Sequence, residues 1–182
     1  FIILVLLLYT CYRFFSFYIT PYRAIQQTYL IPKDAVFIIQ SDNPVADWKQ
    51  FSESKPWKCL KQSPSFAEIA GKAATLDSIL HATKRLMSLI GKRELMISAH
   101  KVWSNHWDFL YLIDLQKLSE ATLLKEQIQQ VYSMLDFKVT YRKYKEIDII
   151  ELTSKKTHEI LYTAFIDNHY IASYSSQLIQ VS

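Results

Sequence analysis

Two neighbouring stretches of the chain carry a period of two. Leu95, Ile97 and Ala99 alternate with Met96, Ser98 and His100 across Glu94–Val102, and Trp107, Phe109, Tyr111 and Ile113 recur at every second position across Trp107–Leu115. In an extended chain, successive side chains point to opposite faces, so this spacing demands strands and excludes a helix. Ser104–Asn105 between them is short and polar, which predicts an antiparallel hairpin. Four shorter runs follow, Phe137–Tyr144, Ile147–Thr153, Glu159–Asp167 and Tyr170–Tyr174. Lys145–Glu146, Ser154–His158 and Asn168–His169 separate them as turns, which predicts a meander. Earlier in the chain, Asp34–Gln40 is a short apolar run bounded by turn residues and reads as a buried strand.

Helical signals lie between these strands. Asn43 and Pro44 suit a cap and a first helical position, and Val45, Trp48 and Phe51 then share a face up to Lys55–Pro56–Trp57. Ser65 and Glu68 form a capping box ahead of Phe66, Ile69, Ala73, Leu76, Leu80, Thr83, Met87 and Ile90, a long amphipathic helix that Gly91 would stop. Ala121, Leu124, Ile128, Val131 and Leu135 make a second stripe. Ser175–Ser176 looks like the cap of a last helix, and the natural chain is expected to continue past it. The expected core is Phe37, Ile39, Leu76, Leu80, Ile97, Phe109, Tyr111, Leu124, Ile128, Val139 and Ile149.

The first eighteen residues, FIILVLLLYTCYRFFSFY, hold one charge, Arg13. Nineteen helical residues rise about 28 Å, near the thickness of a bilayer core. No small-residue step marks a signal-peptide cut, and Tyr9–Thr10 before Cys11 fits a lipid-attachment box poorly. The stretch therefore predicts a transmembrane signal-anchor over 1–19, a juxtamembrane connector over 20–33 and an exported domain over 34–182. That implies an inner-membrane, single-pass protein with its domain in the periplasm. Tyr9, Arg13 and Phe17 are four residues apart and share one helix face, the expected contact with a partner's transmembrane helix. The fold class is then α+β, with one transmembrane helix, a mostly antiparallel sheet and two longer amphipathic helices.

Only Gly71 and Gly91 are glycine, so no phosphate loop, dinucleotide fingerprint or nucleophile elbow can be written. A net charge of +4 is too weak for a nucleic-acid signature. His100, His106 and Asp108 flank the first hairpin, but without metal-ligand spacing they read as solvent-face strand residues. Cys59 beside Lys58 and Lys61 has no histidine near it in sequence, and it reads as a half-buried structural thiol unlinked to Cys11. Asp108 and Asp114 share a strand face about 20 Å apart, too far for acid–base partnership. Glu146 and Asp148 sit at a hairpin edge and read as a solvated turn. Lys138, Arg142, Lys143 and Lys145, interleaved with Tyr141 and Tyr144, read as the solvated coat of a strand. No catalytic, cofactor-binding or metal-binding residue and no small-molecule substrate is expected.

The segments IPKDAVFIIQSDNPVADWKQF, RELMISAH and WDFLYLIDL resemble an uncharacterised bacterial family of Bacteroidetes-lineage organisms, a domain of unknown function. The resemblance extends over Pro32–Ser182 and implies a single-pass, envelope-anchored protein longer than this chain, with no catalytic residues to carry over. The resulting expectation is an accessory or scaffold subunit of an envelope complex, in protein export or assembly, with the bilayer and integral membrane proteins as partners. The alternatives are an exported lipid- or polymer-binding protein, which would show a large apolar cavity, and an enzyme whose catalytic residues lie beyond residue 182.

Overall fold

Among the described residues, every adjacent pair of strands runs antiparallel. The computed structural model describes residues 2–18, 25–63, 70, 71, 74, 90–103, 106–116, 122–127, 130 and 137–182. Strands β1 (Phe37–Ser41), β2 (Leu95–Trp103), β3 (His106–Asp114), β4 (Phe137–Tyr144), β5 (Ile147–Ser154), β6 (Ile160–Ile166) and β7 (His169–Ser173) form one sheet in the order β1-β2-β3-β7-β6-β5-β4. The alternating stretches become β2 and β3, paired from Leu95↔Ile113 to His100↔Asp108. Strands β4 to β7 are the expected meander. Its last strand closes onto β3 through Leu110↔Ser173 to Asp114↔His169, a pairing no local pattern announces.

The sheet is buried on both faces. On one, Met96, Leu110, Leu112, Ile149, Ala164 and Ile171 pack with Leu30 from a 3-10 turn (Gln27–Leu30) and with Leu178 and Ile179 from a C-terminal helix (Ser176–Val181). On the other, Ile113, Ile150, Leu152, Leu161, Tyr170 and Ala172 pack with Ile90, Leu115 and Leu124. Each fully buried Leu or Ile is worth about 1.5–3 kcal/mol relative to exposure, so both covers are held mainly by apolar burial. The expected core is realised at Leu124 and Ile149 and partly at Val139, Ile97, Phe109 and Tyr111, which are half-buried. Leu76, Leu80 and Ile128 lie outside the described residues.

Two core assignments are corrected. Phe37 and Ile39 are 46% and 54% exposed, because β1 is the outermost strand and has one strand beside it rather than two. His100 and Asp108 are corrected in the opposite sense. They alternate away from the Leu95/Ile97 set as expected, but that second face is covered as well, and both are buried.

The N-terminal expectation is also corrected. Helix α1 is described over Ile2–Tyr18, 17 residues with a rise of about 26 Å. No helix among the described residues is long and apolar enough to cross a membrane. The transmembrane signal-anchor, the single-pass topology and the inner-membrane placement with a periplasmic domain therefore lose their basis. Within the expected connector, the 3-10 turn is instead folded onto the sheet, with Gln27 and Leu30 buried. Pro44 opens helix α2 (Pro44–Glu53) as expected. Lys55–Pro56–Trp57 does not end that element but begins helix α3 (Lys55–Leu60), where the Ser54 hydroxyl accepts from the Trp57 N–H at 3.3 Å. Residues 70, 71, 74 and 90 are helical, as are 122–127 and 130, and the remainder of the two amphipathic stripes lies outside the described residues.

Candidate interaction surface

A sheet edge is a row of unpaired backbone donors and acceptors, and native proteins guard it with charge. The two edges here differ. Strand β4 carries Lys138, Arg142 and Lys143, all exposed, with Lys145 in the turn that follows. Arg142 Nε pairs with Glu151 Oε1 at 3.1 Å and its guanidinium lies over the Tyr162 ring at 5.9 Å. Lys145 Nζ lies 5.5 Å from the centre of the Tyr144 ring. The solvated basic coat read from the sequence is the guard of this edge.

Strand β1 has no such guard. Ala35 to Ser41 is uncharged, and Val36, Phe37, Ile38 and Ile39 are all exposed large hydrophobics. Phe37 and Ile39 register with Ala99 and Ile97 on one face, while Ile38 and Gln40 register with Ser98 and Met96 on the other. Apolar surface is therefore presented on both sides of the same edge. Phe37 continues it inward through an edge-on contact with Phe109 at 6.4 Å. At the far end the Ser41 hydroxyl donates to Asp47 of α2. There Trp48, Phe51 and Trp57 form an aromatic cluster, with Trp57 centred 5.4 Å from Trp48 and 5.0 Å from Phe51.

A polar relay fixes the near end of β1. His100 Nδ1 lies 3.0 Å from Asp34 Oδ1, and His100 Nε2 lies 2.8 Å from Ser98 Oγ. With a carboxylate on Nδ1, that nitrogen carries the hydrogen and Nε2 accepts from the Ser98 hydroxyl. Val36 N–H donates to Ala99 O at 2.8 Å one step further on. The connectivity is that of an acyl-transfer triad. The setting is not, because Ser98 is fully buried in mid-strand, flanked in the ladder by Ile38 and Leu110, and no substrate carbonyl can reach its oxygen. The relay is a brace between the Asp34 loop and the sheet. The sequence signal for it is the equal parity of Ser98 and His100 on one strand; that Asp34 meets them is a long-range contact.

The remaining candidates do not converge. His106 pairs with Trp103 at the start of β3. No group of three or more His, Cys, Asp or Glu that could hold a metal ion occurs among the described residues. Cys11 and Cys59 are free and exposed, so Cys59 is not the half-buried thiol expected. Lys58 and Lys61 are exposed as well. Asp108 Oδ1 accepts from the Phe109 N–H, while Asp114 lies at the other end of β3, where its Oδ1 accepts from Asn168 Nδ2 at 2.8 Å. Glu146 and Asp148 are exposed at the β4–β5 turn, as expected of a solvated pair, and rim an open cleft of about 520 Å³ floored by Ile150 and Phe165. Tyr9 and Arg13 are exposed on α1, and Phe17 lies two turns from Tyr9 on the same helix.

Burial dominates the electrostatics of the face opposite the relay. The Tyr174 hydroxyl is pushed up to about 12, by burial first and then by Glu159 and Asp108. Tyr111 is raised further by burial, with Tyr174 and Asp108 adding to it. Both phenols stay neutral donors across the physiological range. Comparison with protein-family models, with curated proteins and with solved structures gives no match to this chain, so no family is assigned.

Proposed function

We propose that this chain is an interaction module, an accessory or scaffold subunit that recruits a partner protein by adding the partner's extended segment to β1. The carrying observation is the contrast between the edges, with β4 coated in lysine and arginine while β1 is uncharged and apolar on both faces. Strand addition draws affinity from main-chain hydrogen bonds and specificity from side chains on alternate faces. The brace at Asp34 and the Ser41–Asp47 contact hold β1 at both ends, which lowers the ordering cost of adding a strand. The aromatic cluster of Trp48, Phe51 and Trp57 beside it has the composition of binding hot spots.

The test is purification from the source cell with the wild-type chain and with Ile38→Lys. A lysine on this exposed position reproduces the guard that β4 already has. Loss of the co-purifying partner, with an unchanged circular dichroism spectrum and melting temperature, supports the reading. Partner retained at wild-type level removes it.

A further inference from the structure

We infer that, while no partner segment occupies it, β1 pairs antiparallel with β1 of a second copy of this chain, so that self-pairing closes the edge that a partner must open. This rests on the reading of β1 as an unguarded edge and names what competes for it.

Two copies could join their sheets edge to edge in three ways, and charge separates them. Joining β4 to β4 sets Lys138, Arg142 and Lys143 against the same residues of the second copy. Joining β4 to β1 lays those basic side chains against residues 35–41, which hold no acidic residue to receive them. Joining β1 to β1 brings together two uncharged strands that are apolar on both faces. Like charges opposed across a strand pair are destabilising, and a charge taken out of water without a partner costs more. Only the β1–β1 joint avoids both costs. It is two-fold symmetric, and among the described residues the edge left outermost on each copy is the charged β4. The assembly therefore closes at two chains rather than growing into a filament.

Symmetry and the flanking charges also choose the register. Along an antiparallel pair, residues alternate between turning their backbone groups toward the partner and away from it, and facing residues are of the same kind. A two-fold axis must therefore pass where a residue faces its own copy. Centred on Ile38, the pairing brings Asp34 toward Asp42 of the second copy. Centred on Phe37, it lays Ile39, Gln40 and Ser41 against residues 33–35, which lie outside the strand. Centred on Ile39, all five residues of β1 pair, and Asp34 and Asp42 fall opposite Pro44 and Val36. Ile39 then faces its own copy, Ile38 faces Gln40, and Phe37 reaches diagonally to Ile39 of the second copy.

Sedimentation velocity of the purified full chain, with no other protein present and with the free, exposed Cys11 and Cys59 replaced by Ser, tests this. The chain should form a dimer that dissociates on dilution. Ile38→Lys should be monomeric at concentrations where this parent is dimeric. Ile39→Cys in the same background should give a disulfide-linked dimer on mild oxidation, because Cβ atoms of directly facing residues lie about 4.5–5.5 Å apart. Tyr141→Cys, on β4, should not. A monomeric parent, or open-ended growth, overturns the inference. So does a dimer that survives Ile38→Lys or that Ile39→Cys fails to link, since either places the contact elsewhere, such as along the exposed apolar helix α1. If Ile38→Lys does not fold, the two cysteine variants decide. These results concern the chain by itself, so self-pairing can fail while capture of a partner through β1 stands, and the reverse.

Discussion

His100 shows how one residue changes meaning when a second face is covered. Its parity on β2 was legible, and its distance in sequence from any metal-ligand pattern was legible too. That its face lies under Leu30, Leu178 and Ile179 was not, because those covers come from the two ends of the chain. The same cover turns Ser98 into a buried hydroxyl whose acceptor is the His100 ring. Replacing His100 by Leu should therefore destabilise the fold by about 1–3 kcal/mol, the cost of a buried hydroxyl left without its partner, read from denaturant unfolding. Ser98→Ala added to that variant should cost little more, since the hydroxyl has already lost its acceptor. Tyr174 provides the pH counterpart. Its folded pKa of about 12 exceeds the ordinary 10.0, so the native state holds the proton more tightly than the unfolded chain. Stability from this group is complete below pH 10 and is lost as pH rises toward 12. Absorbance titration at the tyrosinate band should show a late-ionising fraction that shrinks in Tyr174→Phe.

At the level of elements, the hairpin β2–β3 and the meander β4–β7 were readable because their partners are adjacent in sequence and their turns are polar. Strand β1 is legible as a strand, but its place at the edge of the sheet is not. A short apolar run looks the same whether it is central or at an edge, and only the pairing of β7 with β3 leaves β1 outermost. The helical stripe through Leu124 gave a correct core residue for the opposite reason, since a 3.6-residue period identifies a buried face without knowledge of the partner. These two elements make opposite predictions. Leu124→Ala should cost about 2–5 kcal/mol. Ile39→Ser, on an exposed edge, should change stability by less than about 0.5 kcal/mol. Thermal or denaturant unfolding of both variants checks the pair; similar losses would place β1 in the core after all.

At the scale of the sheet, the hairpin β2–β3, flanked by β1, and the meander β4–β7 are joined by the β3–β7 ladder and covered by the 3-10 turn and by the C-terminal helix on one face. The expectation of a membrane-spanning helix is contradicted, since no helix among the described residues is long and apolar enough to cross a membrane. The candidate surface was hidden in the sequence because it is defined by what β1 lacks among the described residues, a second neighbouring strand and a charge, and a neighbour is a property of the assembled sheet. The central claim is that this unguarded edge is where a partner binds. The direct measurement is site-specific photocrosslinking in the source cell, with the probe at Ile38 on the β1 edge, at Tyr141 on the guarded β4 edge and at Val181 in the C-terminal helix, all exposed positions. A discrete product should form from Ile38, mapping to an extended segment of one partner, and be absent from the other two sites. Equal products from all three positions, or none from Ile38, would contradict the account.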